Sequence, residues 1–119
     1  MIGIIKKFFK NAEGIWVFGS FGSEYFNEKS DIDIAVLFKE KKTPLEIFKM
    51  QEDLFMVLNR NVDLVNLADV DDVFAYEIVT KGKKIKSSKF ADMYEYNIWL
   101  RYLTLQDDRM VILEGLKNG

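Results

Sequence analysis

An apolar run, Ile15-Trp16-Val17-Phe18, ends in Gly19-Ser20, and after a ten-residue spacer Asp31-Ile32-Asp33 opens a second apolar run through Phe38. Short apolar runs bounded by turn residues read as buried strands. Side chains two apart on a strand share a face, about 6 to 7 Å from each other. Asp31 and Asp33 therefore project together, while Ile32, Ile34 and Val36 face the other way. A carboxylate inside an apolar run is costly to bury without a cation or a hydrogen-bond donor, and two on one face offer the oxygen ligands that hard divalent cations take. Gly19 allows the chain to turn where a Cβ would obstruct a ligand, and Ser20 adds a hydroxyl beside exposed backbone N–H groups. The bland alternative is that Ser30-Asp31 caps a turn and Asp33 is a solvated strand position.

A short helix expected over residues 22 to 28 would present its N-terminus, with free N–H groups and a favourable dipole, to a phosphate at the Gly-Ser turn. A third acid should lie on a neighbouring strand, and Asn61-Val62-Asp63-Leu64-Val65-Asn66-Leu67 supplies it. Period 2 puts Asp63, Val65 and Leu67 on one face, with Asp63 at the strand's opening. Its own alternative is an ordinary strand-opening Asp. Asp69, Asp71 and Asp72 read as helix-capping residues.

With these residues in place, the chain resembles the minimal nucleotidyltransferases of the DNA polymerase β superfamily, whose signature is Gly-Ser, a spacer, then Asp-x-Asp. Within that superfamily it is similar to the MntA antitoxins, over most of its length: Gly19 to Asp33, the later strand bearing Asp63, the short chain and an aromatic-rich C-terminal helical segment. The resemblance implies a polymerase β-like fold in which ATP lies with its phosphates against Gly19 and Ser20. It implies Mg²⁺ in a two-metal site held by Asp31, Asp33 and Asp63, with Asp63 nearest the attacking hydroxyl. It implies a partner as well, a HepT-like HEPN-family toxin adenylylated on a tyrosine. The chain departs from the family where a small residue, an Arg and a Gly commonly follow Gly-Ser, since Gly22, Ser23 and Glu24 stand there, after Phe21. The missing Arg removes a triphosphate contact, and Glu24 adds negative charge beside the turn.

The 119 residues, 49% apolar and 14% aromatic, suffice for one core, so 1–119 reads as a single minimal nucleotidyltransferase domain. With 17 basic against 19 acidic residues and a pI near 5.2, there is little global attraction to nucleic acid. No cysteine or histidine is present, which excludes disulfides, thiol nucleophiles, Cys/His zinc sites and His general bases. The N-terminal stretch, interrupted by Lys6, Lys7 and Lys10, is too short to span a membrane and reads as an amphipathic helix of a cytoplasmic protein.

The expected order is helix 2–12, strand 15–19, helix 22–28, strand 31–38, helix 44–59, strand 62–67, helix 70–81, strand 83–86 and a long helical segment over 89–116. This is an α+β fold with a small mixed sheet, helices mainly on one face and the carboxylates in an open cleft on the other. Lys81, Lys83, Lys84, Lys86 and Lys89 read as protection of an exposed sheet edge rather than a nucleic-acid platform, which needs interleaved aromatics. Phe90, Met93, Tyr94, Tyr96, Ile98, Trp99, Leu100, Tyr102, Leu103 and Leu105 cover more of the last helix than one core-facing stripe requires. A partner surface or self-association follows, unless the helix is buried in a groove. A second functional class stays open, a non-catalytic module that neutralises its partner by occlusion.

Overall fold

In a computed structural model that describes residues 1–21 and 23–118, with side chains through 105, four strands form one mixed sheet. They are β1 (Gly14–Phe18), β2 (Ile32–Leu37), β3 (Val62–Asn66) and β4 (Lys83–Lys86), in spatial order β3-β2-β1-β4. β1 runs antiparallel to both β2 and β4, and β2 runs parallel to β3. A parallel pair needs a long crossover, which here is the helix α2 (Pro44–Leu58). Thr43 caps α2 in a reciprocal capping box with Glu46, Pro44 occupies its first turn, and Asn59 ends it in the left-handed region at φ 53°. These are the local signals that set both ends of a helix.

Alternation along the strands gives the sheet two buried faces. Ile15, Val17, Ile32, Ile34, Val36, Val62 and Leu64 pack against Ile5 and Phe9, in and just after α1 (Ile2–Phe8), and against Ile47 and Leu54 of α2. Trp16, Ala35 and Leu37 pack on the opposite side against Ala75 and Ile78 of α3 (Asp72–Lys81) and Ala91 and Ile98 of α4 (Lys89–Asn118). The α+β class and the long C-terminal helix are as expected. The helices, however, divide between the two faces rather than gathering mainly on one. The reason is that β1 and β2 carry large apolar residues at both parities, so neither face could be left in water.

α1 stops at Phe8 instead of continuing to 12, because the chain turns through Phe9–Ala12 to bring the Glu13 N–H onto the Leu37 carbonyl at 2.7 Å. α3 and α4 are tied by Arg101 Nε donating to Asp72 at 3.0 Å and by the stacked rings of Tyr76 and Tyr102, 3.7 Å apart. β4 is a sheet edge, where lysines were expected. Two of them are structurally engaged: Lys84 Nζ bonds Glu95 at 2.7 Å and Asp92 at 3.1 Å, and Lys86 Nζ bonds the Lys10 carbonyl at 2.7 Å.

Candidate active site

The strand register brings the predicted residues together. Phe18 lies opposite Asp33 across the β1–β2 ladder, and Asp33 lies opposite Asp63 across β2–β3. By parity Asp33 and Asp63 belong to the face covered by α3 and α4, at the end those helices leave open; Asp33 is half-buried and Asp63 exposed. Asp31 is exposed just before β2 begins. None of the three carboxylates forms an ion pair among the described residues. Burial, then the charge of Asp63, then that of Asp31, raise the Asp33 carboxyl above its ordinary 3.8. Desolvation and like charge both disfavour the ionised form.

Gly19 follows directly at the end of β1, with φ +71°. Any Cβ there would overlap Asp33 Oδ2, so glycine is required both for its backbone conformation and for the space beside the carboxylate. Ser20, next in the chain, is half-buried.

The short helix expected over 22–28 does not form over 23–28, the part of it among the described residues. Among the described residues the segment is a series of turns. Side chains satisfy its backbone locally: Ser23 Oγ donates to the Ser20 carbonyl at 2.7 Å, the Lys29 N–H donates to Asn27 Oδ1 at 2.8 Å, and the Asn27 N–H donates to Ser30 Oγ at 3.0 Å. Ser and Asn compete with helical hydrogen bonding in this way. Among the described residues, this loop therefore presents no helix N-terminus to the Gly19-Ser20 turn. The competing acids lie elsewhere and are otherwise engaged. Asp71 caps α3 by accepting from the Phe74 N–H at 2.8 Å, Asp69 accepts from Asn66 at 3.3 Å, and Asp72 holds Arg101.

A pocket of about 250 Å³ adjoins Gly19, lined by Phe18, Phe74, Glu77, Ile78 and Lys81. The α3 residues were not legible as site neighbours, because only the packing of α3 over β1 brings them there. Phe18 and Phe74 meet edge to face at 6.0 Å.

The donor set suits a hard cation in kind: carboxylate oxygens only, like-charged, with the Asp33 carboxyl raised first by burial and then by the charges of Asp63 and Asp31. The sequence reading has Asp31, Asp33 and Asp63 converging on metal, but among the described residues no three acidic side chains close around a single ion position.

The family model for polymerase beta nucleotidyltransferases matches residues 2–91. Over 103 residues, 86% of this chain and 74% of the relative, the sequence is 29% identical to protein adenylyltransferase MntA of Shewanella oneidensis. The fold matches a toxin–antitoxin crystal structure with AMP-PNP at TM-score 0.82, 26% identity and 97% coverage of both chains. It also matches a chain of the complex of tri-AMPylated Shewanella oneidensis HEPN toxin with MNT antitoxin, at TM-score 0.77 and 27% identity, covering 97% of this chain and 94% of that one.

Proposed function

The chain belongs to the polymerase beta nucleotidyltransferase family, and from that premise we propose that it is a protein adenylyltransferase. On this reading it transfers AMP from ATP to a tyrosine hydroxyl of a HEPN-family toxin and thereby acts as the antitoxin of a cytoplasmic pair. One observation carries the proposal: the register that puts Asp33 between the Gly19 turn and Asp63. Similarity to MntA and to the complex with an AMPylated HEPN toxin supports the choice of acceptor. Family membership implies a nucleotide substrate and a metal. The finer reading is ATP with Mg²⁺, and residues 1–119 acting as one domain.

Gly19 leaves room for the Asp33 carboxylate at the turn, and the phosphates would lie against this turn with the Ser20 hydroxyl offered to them. Asp31, Asp33 and Asp63 would hold Mg²⁺, which when bound neutralises charge on the α-phosphate and on the leaving pyrophosphate. The acceptor oxygen forms a bond to the α-phosphorus as the bond from that phosphorus to the pyrophosphate oxygen breaks. Asp63, exposed at the mouth of the site, receives the hydroxyl proton, and positioning supplies much of the acceleration. No described helix is long and apolar enough to cross a membrane, which is compatible with this setting.

A second reading, neutralisation by occlusion, draws on the outer face of α4, where Met93, Tyr96, Trp99, Leu100 and Leu103 are exposed. That face suits a toxin partner or a second copy of the chain. One experiment separates the two readings: intact-protein mass spectrometry of a HEPN toxin incubated with this protein, ATP and Mg²⁺. An AMP-sized increment that disappears with Asp31→Asn or Asp33→Asn is the expected result. Neutralisation of the toxin with no increment selects occlusion.

A further inference from the structure

Arg60, between α2 and β3, is the best-connected side chain near the site that the chemistry above does not use. Its Nη2 donates to the Asn27 carbonyl and, at 3.0 Å, to the Ser30 carbonyl. Its guanidinium lies over the Phe26 ring, 4.7 Å from the centroid, and Phe26 meets Phe21 edge to face at 5.3 Å. Nε is buried and has no hydrogen-bond partner among the described residues. A guanidinium held this way is desolvated on one edge and committed to two carbonyls on another, which is more than a surface arginine needs.

The next residue completes the arrangement. The Ile32 N–H donates to the Asn61 carbonyl at 3.0 Å. Asp31 thus sits between two anchors that come from one dipeptide: its preceding carbonyl is held by Arg60 and its following N–H by Asn61. Two residues further on, the same segment presents Asp63 opposite Asp33. Residues 23–30 of the spacer form turns and bends without a helix or strand, so without such a tie their end could shift relative to β3.

We propose that Arg60 is a positioning residue that fixes Asp31 against the Asp33–Asp63 pair by clamping the Asn27–Ser30 turn onto the Phe26 ring. This rests on the reading of Asp31 as a cation ligand, and it predicts that Arg60 acts on cation affinity rather than on the chemical step. Lysine is a poor substitute, since an ammonium cannot lie flat on a ring while its donors reach two carbonyls.

The test measures Mn²⁺ uptake by electron paramagnetic resonance, together with the Mg²⁺ dependence of AMP transfer. It compares wild type with Arg60→Ala, Arg60→Lys and the milder Phe26→Leu, each checked for folding by circular dichroism. Arg60→Ala should weaken Mn²⁺ binding by about tenfold, the lower range for loss of a residue that orients a metal ligand. The half-saturating Mg²⁺ concentration should rise in step, while kcat at saturating Mg²⁺ returns toward wild type. Arg60→Lys should recover little, and Phe26→Leu should show a smaller shift in the same direction. A wild-type protein that takes up no Mn²⁺ overturns the assignment of the carboxylates, and this inference with it. Wild-type uptake that is unchanged in folded Arg60→Ala and Phe26→Leu overturns the role of Arg60 alone, as does a loss confined to kcat.

Discussion

The two dense clusters of like charge in this molecule have opposite fates. Along the edge strand β4, Lys84 is held by Glu95 and Asp92, and Lys86 by the Lys10 carbonyl. Burial works against the charge on Lys84, but the hydrogen bonds it donates to Glu95 and then to Asp92 outweigh it and raise its pKa. Asp92 is lowered in turn, by Ser87 first and then Lys84. At the Asp31, Asp33 and Asp63 cluster no described residue supplies an ion pair, and burial, then the charges of Asp63 and Asp31, raise the Asp33 carboxyl. Charge that the fold neutralises serves the fold. Charge that the fold concentrates without an opposite charge beside it is where chemistry should be sought.

Substituting Gly19 strikes the acidic cluster hardest. Gly19→Ala must adopt φ +71° with a Cβ that overlaps Asp33 Oδ2, so both the turn and the carboxylate have to move. We expect AMP transfer, followed by mass spectrometry, to fall about a hundredfold, the scale set by an ångström of misplacement. Stability, read by thermal melting, should drop by about 1–2 kcal/mol from the left-handed backbone alone. A variant that transfers AMP at the wild-type rate would remove Gly19 from the cradle.

Lysine 84 offers the contrasting case. Lys84→Met should cost about 1 kcal/mol in denaturant unfolding, at the upper end for a partly exposed ion pair, and leave the rate of AMP transfer unchanged. A large loss of transfer with little loss of stability would mean that the lysine edge belongs to the site after all.

The smallest effect is on stability and carries the sign that tests the comparison. Because the folded Asp33 carboxyl is raised above 3.8, the stability linked to its protonated form is full below that value and is lost as pH rises through the folded pKa. Asp33→Asn should therefore melt slightly higher than wild type at neutral pH. The gap should close in acid. Mg²⁺ with ATP should raise the melting temperature of wild type and leave that of Asp33→Asn nearly unmoved. An Asn variant less stable than wild type at pH 7 would mean that Asp33 has a structural partner.

Much of the chain could be read residue by residue. The expected helices 44–59 and 70–81 fall within two residues of α2 and α3, whose starts the structure shows capped by Thr43 with Glu46 and by Asp71, contacts settled within a few residues. Strand parity likewise separated Asp33 from Ile32 and Ile34 before any partner strand was known. The turns of the spacer were misread as a helix, since competition between Ser or Asn side chains and the backbone is decided by small energy differences that a pattern does not contain.

The sequence by itself determined the kinds of residue at the site and their order: Gly19 and Ser20, then Asp31 and Asp33, then Asp63. Local preferences and period 2 act over a few residues and are written in the chain. Only the tertiary structure decided that Asp63 lies directly opposite Asp33, that α3 brings Phe74, Glu77 and Lys81 beside Gly19, and that Arg60 reaches back to the turn before Asp31. Those contacts join residues far apart in sequence. They exist because the apolar residues on both faces of one sheet had to be covered at once.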